Sequence, residues 1–145
     1  MEEILKMIES VDPSDTAKLD EIDARVTCLV KGITFIKPNI ITHKDRGQMV
    51  TGWRTSEGDK SRIGFCRRYT RSRDALKAIR PEGWMVCGHY ALATALGYTF
   101  SLHEKKAGGK QVIGGGLIKT EELAELHAII QAINHERKES DNERE

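Results

Sequence analysis

A chain of 145 residues is enough for one domain and too short for two of ordinary size. Hydrophobic residues make up 39% and charged residues 31%, a balance that excludes intrinsic disorder, and no run approaches the roughly 20 apolar residues that span a bilayer. The net charge of +1 hides an asymmetry, because residues from Thr120 onward sum to −5 and the rest to +6, and three widely spaced cysteines (Cys28, Cys66, Cys87) exclude a disulfide framework.

The opening stretch MEEILKMIES carries acids where a secretory signal would carry bases, so cytoplasmic residence is expected. Ile4, Leu5 and Ile8 fall at helical spacing and predict a short amphipathic helix over Glu2–Glu9. Asp12-Pro13-Ser14-Asp15 restarts the chain, with Asp12 as cap and Pro13 in the first turn of a second helix reaching Lys31. Leu19, Ile22, Val26, Leu29 and Val30 form its apolar stripe, and Gly32 ends it. Ile33–Ile36 reads as a short strand. Residues 38–64 read as a long irregular loop with Trp53 as its one large apolar anchor.

Thr70 or Ser72 can cap a helix over Arg73–Ile79, and Pro81-Glu82-Gly83 stops it before a strand at Trp84–Cys87. The stretch 91–96 fits helix or strand. Gly97–Glu104 alternates, with Tyr98, Phe100 and Leu102 on one face and Thr99, Ser101 and His103 on the other. Gly108-Gly109 turns the chain into a strand at Gln111–Ile113, and Gly114–Gly116 reads as a turn and linker. Thr120 caps the last helix, which buries Leu123, Leu126, Ile130 and Ile133. The expected organisation is one α+β domain over residues 1–136, followed by a charged, disordered tail over 137–145.

Tyr69-Thr70-Arg71-Ser72-Arg73-Asp74-Ala75-Leu76, followed by Pro81-Glu82-Gly83-Trp84, resembles a stretch of the phage ABA-sandwich family of small phage and prophage proteins. Ala17–Gly32 is similar to that family's first helix, and the terminal helix sits where the family ends in an alanine-rich one. The resemblance covers 17–32, 69–84 and the last helix, and leaves 33–68 and 88–118 uncovered. Here the last helix opens Thr-Glu-Glu-Leu rather than Thr-Pro-Ala-Leu. The resemblance implies a layered α/β sandwich, a central and mainly antiparallel sheet packed by helices, and residence in a phage-infected host cell. It brings no catalytic residues.

Between Lys60 and Arg73 the bases Lys60, Arg62, Arg67, Arg68, Arg71 and Arg73 meet no acid, and Phe65 and Tyr69 are interleaved. Arginine forks suit phosphates and carboxylates, and aromatic rings stack on bases. Arg62, Arg67, Arg68, Tyr69, Arg71, Arg73 and Trp53 are therefore the candidate binding residues for a protein or a polyanion. The competing reading is a solvated, charge-guarded strand edge.

Cys87 and His89, two apart on a strand, could share a face as nucleophile and base, but no orienting group is identifiable. His43, His103, Cys66, Cys87 and His89 lack paired ligand spacing, so neither a metal nor a cofactor is expected. The glycine clusters match no phosphate-binding fingerprint. The expected function is a non-enzymatic phage or prophage accessory protein that binds a host protein or ribonucleoprotein complex, in the manner of an inhibitor of a host defence system such as CRISPR. Direct nucleotide or nucleic-acid binding through residues 60–73 is the first alternative, and an enzyme built on Cys87 and His89 the second. A homodimer through the terminal helix or a sheet edge stays open.

Overall fold

The computed structural model describes residues 1–32, 41–45, 48–54, 63–91 and 97–144. Helix α1 (Glu2–Ser10) buries Ile4 and Ile8, four apart, and carries Glu2 and Glu3 in its first turn. Asp12 does not cap the next helix. Its carboxylate accepts the Ser14 N–H at 2.9 Å and the Ser14 hydroxyl at 2.8 Å, closing a local turn. Helix α2 (Thr16–Lys31) starts later than Pro13, where Asp15 accepts the Lys18 N–H, and ends at Gly32, whose φ of 71° is left-handed.

The stripe expected on α2 is only partly apolar. Leu19, Ile22 and Val26 are buried, whereas Val30 is 41% exposed, and Asp20, Glu21 and Asp23 are buried with the apolar set.

Residues 38–64 are not one long loop. They contain β1 (Ile41–Asp45) and β2 (Gln48–Arg54), and β3 (Ile63–Cys66) follows; the three pair antiparallel in that order. These strands are short and mix polar with β-branched residues, so local patterning is weak. β2 and β3 contact α2. The strand expected at Ile33–Ile36 and the ambiguous stretch 92–96 lie outside the described residues.

Ser72 caps α3 (Arg73–Lys77) by accepting the Ala75 N–H. A second antiparallel sheet follows: β4 (Trp84–Ala91), β5 (Tyr98–Glu104) and β6 (Gln111–Ile118), in that order. Gly83 and Gly108 take positive φ at the turns into β4 and β6. Gly114–Gly116 is strand rather than linker. A Cβ on Gly114 would sit 2.5 Å from the Ala124 carbonyl oxygen and 2.4 Å from the Ala128 nitrogen, so the glycine lets β6 lie against the closing helix.

That helix, α4 (Glu121–Arg144), is capped by Thr120, which accepts the Leu123 N–H at 3.2 Å. It packs on β5 and β6 with α1 beside it. Phe100, Leu102, Val112 and Ile118 of the sheet meet Leu123, Leu126, Ile129 and Ile130 in one buried cluster that includes Trp84. Each such side chain contributes about 1.5–3 kcal/mol on burial.

Residues 137–144, expected as a disordered tail, continue α4. Arg137 donates to the Leu29 carbonyl, and Glu139 pairs with His135 one turn back, so the charged end has partners to order against. The fold is therefore α+β, with an antiparallel sheet packed by helices as expected. Among the described residues no helix is long and apolar enough to cross a membrane.

Candidate functional site

The arginine segment divides into anchored and presented residues. Arg71 turns inward from the corner between β3 and α3, and its Nη2 donates to Asp20 Oδ1 at 2.5 Å and to Asp23 Oδ2 at 2.8 Å. The Thr70 N–H donates to Asp23 Oδ1 at 2.8 Å. Burial pushes the Asp23 carboxyl up to about 6, although the Arg71 and Thr70 hydrogen bonds pull it down. Arg73 donates through Nε to Glu125 Oε2 at 3.1 Å, and Arg80 donates through Nη2 to Glu125 Oε1 at 2.7 Å, so one carboxylate that is 1% exposed ties α3 and its following turn to α4. Arg73 also lies 6.0 Å from the Phe100 ring centroid.

Tyr69 is in the core cluster at 7% exposure, so its ring is packed rather than offered for stacking. Arg67 is exposed and Arg68 half-buried. Backbone hydrogen bonds from Tyr69 to Arg67 and from Arg71 to Arg68, both 3.0 Å, fix the corner that carries them. The helix-opening N–H of Ala75 is taken by Ser72, which leaves that donor spent on the protein itself. Arg62 lies outside the described residues. Trp53 is placed on β2 opposite Gly64, and its side chain is outside the described set.

Cys87 is exposed, and its thiol contacts Ser101 Oγ at 3.3 Å and Gln111 Nε2 at 3.6 Å. The register slips between Val86 and Gly88, so Cys87 is an extra residue in β4 and His89 takes the position opposite Phe100.

A second cluster joins β5 to α4. His135 Nε2 lies 3.0 Å from Glu104 Oε1 and 3.1 Å from Glu139 Oε1. Lys106 Nζ reaches the other oxygens, Glu104 Oε2 at 3.0 Å and Glu139 Oε2 at 3.5 Å. The Lys110 N–H, and then the Lys106 ammonium, hold the Glu104 carboxyl below the usual carboxylate range against the opposing effect of burial. Trp84 stands edge-on to His135, with ring centroids 5.8 Å apart, and donates its indole N–H to Glu136 at 2.7 Å.

Family models, curated proteins and solved structures give no match to this chain. Sequence reading missed this β5–α4 cluster, since Glu104 and His135 are 31 residues apart. The one local signal was the i,i+4 spacing of His135 and Glu139, which places them on one helix face.

Proposed function

We propose that this chain is a non-enzymatic phage or prophage accessory protein that acts by binding a host macromolecule, in the role of an inhibitor of a host defence system. The observation that supports binding is the division among the arginines. Arg71 and Arg73 are tied to Asp20, Asp23 and Glu125, Arg73 with its side chain 45% exposed, and the corner they brace carries Arg67, exposed, and Arg68, half-buried. A braced corner loses little conformational entropy when a partner docks, which favours affinity. Arginine forks there suit a carboxylate or phosphate on the partner. Because Arg71 is already neutralised by two acids, the presented charge is compact, which suits a local acidic patch on a protein or ribonucleoprotein better than a long nucleic-acid track. The phage role rests on the resemblance of residues 69–84.

The test is capture of partners from bacterial lysate by the tagged protein, with and without nuclease, alongside an Arg67→Glu/Arg68→Glu variant. A stoichiometric protein partner that survives nuclease and is lost on charge reversal supports the reading. Capture unaffected by the reversal refutes the assigned corner. Recovery that vanishes with nuclease transfers the function to direct nucleic-acid binding, with an affinity that falls steeply with salt.

A further inference from the structure

We propose that Glu104, His135 and Glu139 form a divalent transition-metal site of the zinc class that clamps β5 to α4. One ligand atom from each of the three lies within 4.8 Å of the others. The His135 Nε2 separations from the two carboxylate oxygens, 3.0 and 3.1 Å, are close to the edge of a tetrahedral shell, which is roughly 3.3–3.5 Å for metal–ligand bonds near 2.1 Å. The imidazole therefore needs to part from each carboxylate by only a few tenths of an ångström to admit an ion, and the two carboxylates, within 4.8 Å of one another, can adjust because Glu139 lies at the surface.

Their placement is preorganised. His135 and Glu139 sit one turn apart on α4, and Glu104 ends β5, where its Oε1 accepts the Lys110 N–H at 3.0 Å. That oxygen's second partner is His135 itself, so a metal between them replaces one hydrogen bond without orphaning the Lys110 donor.

The two carboxylates divide their oxygens. Both Oε1 atoms face the imidazole, and both Oε2 atoms face Lys106. Lys106 can keep the outer oxygens while the ion takes the inner ones, and it offsets one of the two negative charges. One imidazole and two carboxylates form a nitrogen–oxygen set that suits zinc, manganese or iron(II) better than calcium. Glu139 is 42% exposed and His135 17%, so the fourth position opens to water, the pattern of an exchangeable ion.

Trp84, 5.8 Å from His135 between ring centroids, supplies a reporter. The experiment titrates the full chain with zinc by calorimetry, and with cobalt(II) by visible absorption and tryptophan quenching. One equivalent should bind in the micromolar range, cobalt should quench Trp84 emission, and His135→Ala and Glu139→Gln should each weaken binding by at least about tenfold. Circular dichroism checks that each variant is folded. If His135→Ala fails to fold, Glu139→Gln decides, because that side chain lies at the surface. No binding up to about 100 µM metal, or wild-type affinity in the folded variants, overturns the proposal.

Discussion

Gly114→Ala adds one methyl group at the closest approach of sheet and helix. Its Cβ would stand 2.4 Å from Ala128 N, 2.5 Å from the Ala124 oxygen and 2.9 Å from Ala128 Cα, and all three are backbone atoms. No rotamer relieves a clash with backbone, so α4 must withdraw by about 1 Å to restore ordinary contact. That withdrawal loosens Leu123, Leu126, Ile129 and Ile130 against Phe100 and Leu102. Overpacking costs about 1–3 kcal/mol, and a clash against a helix backbone belongs at the upper end. The alanine returns about 0.4–1 kcal/mol by restricting the unfolded chain. The expected net loss is about 2–3 kcal/mol, or roughly 5–10 °C in Tm for a chain of this size. Urea unfolding followed by far-ultraviolet circular dichroism measures it, with Ile113→Ala as the control, since Ile113 is 59% exposed and its loss should cost less than about 0.5 kcal/mol. Ala128→Gly should not rescue the variant, because the offending Ala128 atoms are its main chain. A Gly114→Ala protein within about 0.5 kcal/mol of the parent would refute the close approach.

Asp23, with a folded-state value of about 6 against an ordinary 3.8, holds its proton longer in the native state than in the unfolded one. Its contribution to stability is therefore present below about pH 4 and is lost as pH rises through 6, on the order of 2–3 kcal/mol in all. Asp23→Asn should remove that slope, so the stability of the parent relative to the variant should fall between pH 4 and 7; a difference independent of pH contradicts the assignment. Glu125→Gln should cost about 1–2 kcal/mol by urea midpoint, less than the loss of a wholly buried partner, because the Arg73 and Arg80 side chains are 45% and 24% exposed and can turn to water. A loss near zero would mean that both forks are solvated in the folded protein.

What could be read from the sequence was what neighbours in sequence decide. The three-and-four spacing of Leu123, Leu126 and Ile130 and the Thr120 and Ser72 caps survive as α4 and α3, and the stretch Tyr98–Glu104 is the strand β5, although Ser101 on its polar face is buried as well. What escaped depends on partners distant in the chain. Asp20 and Asp23 look like solvated helix acids until Arg71, 51 and 48 residues away, is placed between them. Gly114 reads as linker because its reason is the backbone of a helix not yet reached. The basic run from Arg67 to Arg73 looks uniform, yet Arg71 and Arg73 are committed to acids of α2 and α4, and only geometry shows it.

Glu9 of α1 accepts from His127 of α4 at 2.9 Å across 118 residues, and Arg137 of α4 reaches back to Leu29 of α2. Translation delivers these elements in the opposite order to their need. The sheet face bearing Phe100, Leu102, Val112 and Ile118 leaves the ribosome before the helix that covers it. The 24 residues of α4 take roughly 1–5 s to be added, and that apolar face stays uncovered until they have emerged. Burial of that sheet face, and with it completion of the core, waits on a helix made after it.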